Sequence, residues 1–137
     1  MNPQETEVIF CHGDIFLRNI DMHRPGQILI LVFLESGFPK DHSKAIYSSK
    51  VVPEKSEMII PVKVPSNMGF SIKVLHDEDM NGMVTKNWTG YLPKEGLGFS
   101  AGITILGGVP TFQKAKIEFV ENEMIEISMR YPGWMGI

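Results

Sequence analysis

The sequence predicts an all-β fold: a single antiparallel β-sandwich of about seven or eight strands, with a long Gly-rich loop at one end. Three observations carry this expectation. Apolar and polar residues alternate with a period of two in several segments, turn-forming residues recur between those segments, and nowhere do apolar residues fall at i, i+3, i+4 and i+7 over three turns. The chain has 137 residues, too few for two independent cores, so residues 1–137 are expected to form one domain.

The elements follow in order. Val8 to Ile20 is expected as a long first strand bent at Gly13, and Ile28 to Leu34 is apolar throughout, as suits a central strand covered on both faces. Tyr47 to Val52 is a shorter candidate. Met58, Ile60, Val62 and Val64 alternate with Ile59, Pro61 and Lys63, and Pro61, which lacks a backbone donor, places this strand at an edge or a bulge. Phe70, Ile72 and Val74 alternate with Ser71 and Lys73. In Phe112 to Val120, Ala115, Ile117 and Phe119 share one face, with Lys114, Lys116 and Glu118 on the other; Met124 to Arg130 repeats the pattern after Glu121-Asn122-Glu123, which reads as a hairpin turn. Pro25-Gly26, Gly37-Phe38-Pro39, Pro53, Pro65 and Gly69 separate the strands. Asp77 to Pro110 stands apart, with seven glycines and two prolines in 34 residues, a length associated with functional loops.

Composition excludes several functions. Thirteen Lys and Arg against sixteen Asp and Glu give a net charge of -3, which disfavours nucleic acid and anionic lipid as partners. The longest apolar run, Ile28 to Leu34, is far short of the roughly 20 residues of a membrane-spanning helix. Cys11 is the single cysteine, so there is neither an internal disulfide nor a multi-cysteine zinc site. The start, MNPQETEV, is polar and lacks the pattern of a secretory leader, so the protein is expected either in the cytoplasm or as a chain that has lost a leader.

The most informative segment is Asp77-Glu78-Asp79-Met80-Asn81-Gly82, which follows directly on the strand ending at His76. Asp77, Asp79 and Asn81 place oxygen side chains at every second position, and a glycine then permits a sharp turn, as in the first half of a calcium loop. Thr85 and Asn87 are further oxygen donors, so calcium is the candidate cofactor. The second half of that pattern is missing, because Trp88 stands where the bidentate Glu belongs and strands replace the flanking helices. Two carboxylates and an amide imply weak binding, with a dissociation constant on the order of 10⁻⁴–10⁻³ M. The competing reading is a plain turn, braced by Asp77 and Asp79 and closed by Asn81-Gly82.

The runs HDEDMNGMVTKNWTGYLPKEGLGFSAG, GVPTFQKAKIEF and EISMRY resemble the bacterial DUF2141 family over about His76 to Tyr131. The resemblance implies a sandwich similar to transthyretin-like and immunoglobulin-like domains, and a secreted or periplasmic protein whose family has no established biochemical function. Thr85 departs from the family pattern, in which an Asp is frequent at that place.

The leading reading is therefore a non-enzymatic binding or structural module. An alternative is a small-molecule or carbohydrate carrier whose pocket, between the long loop and the sheet, is lined by His76, Trp88, Tyr91 and Phe99. A hydrolase would need His76, Asp77 and Ser100 to act together, but neighbours on a strand point to opposite faces, and no G-x-S-x-G elbow occurs. His76 is expected on the apolar face as a buried histidine. The apolar tail either packs back on the sandwich or presents Trp134 and Met135 to a protein partner or a second copy.

Overall fold

The computed structural model describes residues 7–80, 95–105 and 108–131. Among them are seven strands: β1 Phe10–Arg18, β2 Gln27–Phe33, β3 Tyr47–Val51, β4 Met58–Pro65, β5 Ser71–Asp77, β6 Leu97–Phe99 and β7 Ile125–Ser128. They form a three-stranded sheet, β4-β1-β7, facing a four-stranded sheet, β3-β2-β5-β6. No helix among the described residues is long and apolar enough to cross a membrane.

The period-2 pattern accounts for the main core. Ile15 and Leu17 of β1, Ile60, Val62 and Val64 of β4 and Ile127 of β7 meet Ile28, Ile30 and Val32 of β2 and Ile72 and Val74 of β5. Each is buried, and full burial of such a side chain contributes about 1.5–3 kcal/mol. β4 is an edge strand, as Pro61 required.

β2 is central and buried along its whole length, as its unbroken apolar run implied. β5, beside it, is also buried throughout, Lys73 and Asp77 included. Strand alternation alone would leave Ser71 and Lys73 facing water. Instead a second layer covers the outer face of this sheet. Leu29, Leu75, Leu97 and Phe99 form its apolar cluster, with Phe38, Ile103 and Ile105 packed against it. Phe38 makes edge-to-face contacts with Phe33, Phe99 and Phe112, with ring centroids 5.5, 6.0 and 6.3 Å apart.

Three expectations are corrected. The run Phe112 to Val120 is not a strand: Phe112–Ala115 is a single helical turn, α1, capped by the Thr111 hydroxyl, which accepts from Lys114 N. Ile117 then bridges to Phe70 through two backbone hydrogen bonds. The turn at Glu121-Asn122-Glu123 exists, with Asn122 at φ 66°, but it does not close a hairpin. β7 instead runs parallel to β1, pairing Ile15 with Ile125 and Leu17 with Ile127, while every other strand pair is antiparallel. Finally, Asp77 to Pro110 is not all loop, because Leu97–Phe99 forms the edge strand β6 on β5.

Candidate functional site

β5 delivers two consecutive candidate side chains to opposite faces of its sheet. His76 pairs with Ile28 on the core side, and Asp77 pairs with Gln27 on the outer side. His76 is completely buried. Its Nε2 lies 3.0 Å from the Pro25 carbonyl, which can only accept, so Nε2 carries the proton. Nδ1 is then the acceptor, and the Tyr131 hydroxyl donates to it at 2.7 Å. The same hydroxyl accepts from Asp21 N at 2.9 Å. Burial holds the His76 pKa below the usual histidine value and pushes the Tyr131 phenol up to about 12.

Arg24 covers this pair. Its guanidinium lies over the Tyr131 ring, 4.8 Å from the centroid, and forms ion pairs with Asp21 and Glu78 at 3.0 and 2.7 Å. Gly26 makes the tight approach feasible: its φ is 99°, and a Cβ there would fall 2.2 Å from the Asp77 carbonyl oxygen. Gly96 does the same on the other side, where a Cβ would fall 2.3 Å from the Tyr131 ring.

Against this scaffold stand Asp77, Asp79 and Glu95. One carboxylate oxygen from each lies within 4.8 Å of the other two. Asp77 and Glu95 are buried and Asp79 is exposed. Gln27 Nε2 donates to Asp77 Oδ2 at 3.2 Å, and Glu78 N donates to Glu95 Oε2 at 2.6 Å. The chain turns after Asp77, with Met80 N donating back to the Asp77 carbonyl at 3.4 Å and Met80 at φ 58°. A hard cation takes oxygen ligands at about 2.3–2.6 Å, so oxygens sharing one ion lie at most about 5 Å apart. The three carboxylates meet that condition.

The sequence-derived candidates divide accordingly. Asp77 and Asp79 are brought together as a metal reading requires. Glu95 was missed, and nothing about its place in the chain marked it, since a glutamate in a Pro-Lys-Glu-Gly run ordinarily faces water. Asn81, Thr85 and Asn87 lie outside the described residues, as do Trp88, Tyr91, Trp134 and Met135. Of the residues named for a carrier pocket, Phe99 pairs with Lys73 on the outer face and His76 faces the core. For the hydrolase reading, Ser100 Oγ accepts from Ile72 N and donates to the Ala115 carbonyl at 2.5 Å, while both nitrogens of His76 are engaged elsewhere.

The profile of a family described as an uncharacterized protein conserved in bacteria, DUF2141, matches residues 18–127, most of the chain. The chain belongs to the DUF2141 family. The match takes in Asp77, Asp79 and Glu95, together with Arg24 and His76, and ends within β7 just before Tyr131 is reached. No curated protein and no solved structure matches this DUF2141 chain.

Proposed function

We propose that the protein is a non-enzymatic binding or structural module whose β5 end is stabilised by a calcium ion held between Asp77, Asp79 and Glu95. The observation that carries this reading is the convergence of three carboxylate oxygens within 4.8 Å, two of them on buried residues. Like charges brought this close out of water repel one another, and a divalent cation turns that repulsion into attraction. Asn81, Thr85 and Asn87 follow closely in the chain and are the candidate neutral oxygen donors. Exposed Asp79 gives the site an open side, which fits a weak, exchangeable ion rather than a sealed one. The order of the chain supports a structural role, because the cluster ties the turn after β5 to the segment entering β6.

The test is thermal unfolding in EDTA, calcium and magnesium. Calcium is expected to raise the midpoint, magnesium to raise it less, and Asp79→Asn with Glu95→Gln to abolish the shift. A wild-type melt indifferent to calcium overturns the proposal and leaves the three carboxylates as braces of a turn.

A further inference from the structure

Lys73 of β5 is a buried cation outside the site described above. It lies on the outer face of its sheet and retains 3% of its surface exposure. Its ammonium donates to the Pro39 carbonyl at 2.8 Å and meets His42 Nε2 at 2.9 Å, where the ring nitrogen must be the acceptor. These contacts use two of its three N–H groups, and neither partner is an anion. No carboxylate among the described residues forms an ion pair with Lys73. Asp41, next to His42 in the chain, is exposed and accepts from Ser43 N and Oγ at 3.1 and 2.6 Å. Burial lowers the Lys73 pKa to about 8, and no opposite charge offsets it.

Ser71 precedes Lys73 by two positions, so the two side chains are neighbours on one face of β5. Ser71 is completely buried, and its hydroxyl has no hydrogen-bond partner among the described residues. One roof covers both. Ser71 pairs with Phe33 and Lys73 with Phe99, and the Phe38 ring packs edge-to-face against both of those phenylalanines. Pro39, which accepts from Lys73, is the next residue. A buried charge without a countercharge and a buried hydroxyl without a partner both cost free energy, and here they share one apolar layer.

We propose that Lys73 and Ser71 form a binding site for one small monovalent anion of the chloride class, which accepts from the ammonium and the hydroxyl beneath Phe38. Charge sets the valence. One monovalent anion neutralises one ammonium, whereas sulfate or phosphate would leave a net negative charge among apolar side chains. Burial sets the size, because both donors lie under a packed layer. Hydrogen-bonding capacity separates an anion from water. A water that accepted from both donors would bring two protons of its own, among rings such as Phe33, Phe38 and Phe99 that offer them no oxygen or nitrogen. An anion brings none.

Thermal melts at neutral pH test the site with chloride as the probe, in EDTA so that the acidic cluster holds no metal. The midpoint is expected to be at least about 2 °C higher in about 100 mM sodium chloride than in the same concentration of sodium isethionate, a bulkier monovalent salt. Ser71→Ala removes one donor, and its apparent affinity for chloride should fall about tenfold or more, as the loss of a hydrogen bond to a charged group implies. Lys73→Met should abolish the response. If that variant does not fold, Ser71→Ala and bromide decide: crystals grown in sodium bromide should show an anomalous peak within hydrogen-bond reach of Lys73 Nζ and Ser71 Oγ. Wild-type melts indifferent to the exchange of salts overturn the proposal. So does a chloride response that Ser71→Ala leaves intact, which would place the ion elsewhere, or a bromide map with no peak beside Lys73.

Discussion

The Tyr131 hydroxyl donates to Nδ1 of His76 at 2.7 Å while accepting from the backbone of Asp21, so one oxygen serves a buried histidine whose tautomer the Pro25 carbonyl sets, and ties three distant parts of the chain together. Tyr131→Phe leaves the ring under Arg24 and removes only that oxygen. The buried Nδ1 and the Asp21 amide then lose their partner, and stability should fall by about 1–3 kcal/mol. Urea melts measure it. A change near zero means that water replaces the hydroxyl and the bond has no structural weight.

Stability should rise with pH in the alkaline range because of Lys73. An unfolded chain holds the Lys73 proton up to its ordinary value of 10.5, whereas the folded chain holds it only up to about 8. Between those values the unfolded state binds more protons, so raising the pH favours folding, by about 3 kcal/mol if the whole shift is realised. Tyr131 acts in the opposite sense: its folded pKa of about 12 exceeds the ordinary 10, so stability declines through that higher window. His76, with its pKa lowered by burial, makes acid destabilising below the usual histidine value of 6.5. Chemical melts at stepped pH should therefore peak near pH 10, about where the two windows meet. In Lys73→Met the rise above about pH 8 should vanish, and if it persists another group is responsible.

Gly26→Ala should be among the most damaging single changes. The new Cβ meets backbone atoms, the Asp77 carbonyl at 2.2 Å and Glu78 Cα at 2.5 Å, and neither can rotate aside. The φ of 99° adds strain for any residue with a Cβ. A loss upwards of about 3 kcal/mol is expected from the overlap and strain together. A loss under about 1 kcal/mol would mean that the Pro25-Gly26 loop moves freely against β5.

Calcium at about 10 mM should add roughly 1.4 kcal/mol if the dissociation constant is on the order of 10⁻³ M. Asp79→Asn alone should weaken this response with little change in stability without metal, since Asp79 is exposed. Glu95→Gln keeps an oxygen to accept from Glu78 N and should weaken it as well. Titration by melting midpoint separates the two contributions, and a response that survives both changes would place the ion elsewhere.

Much of the fold is legible because burial on one face leaves a period of two. β1, β4 and the core side of β5 could be read this way, as could the full burial of β2 from its unbroken apolar run. Lys73 could not be read correctly, because alternation reports that a face differs from its neighbour but not that a second layer covers it. Phe112 to Ala115 misled for a related reason. One helical turn is too short to show a period of its own, and the charges of Lys114, Lys116 and Glu118 fell where a strand would place them. The sides were nevertheless right, since Ala115 is buried and Ile117 and Phe119 pack against the main core. In the site, Asp77 and Asp79 were visible as local spacing, whereas Glu95 enters from the segment leading into β6, beside β5, and Arg24 from the loop just before β2.

The parallel pairing of β1 with β7 governs how the molecule can be made. Ile15 finds its partner in Ile125, 110 positions later, so the three-stranded sheet lacks one edge until almost all the described chain has been synthesised. A nascent chain leaving the ribosome can assemble β2, β3 and β5 from nearer neighbours. It must then wait, with Ile15 and Leu17 only half covered, for the last strand to arrive. Such long-range closure slows folding and prolongs the exposure of sticky surface. The step that completes the sandwich is therefore also the one at which aggregation competes with folding.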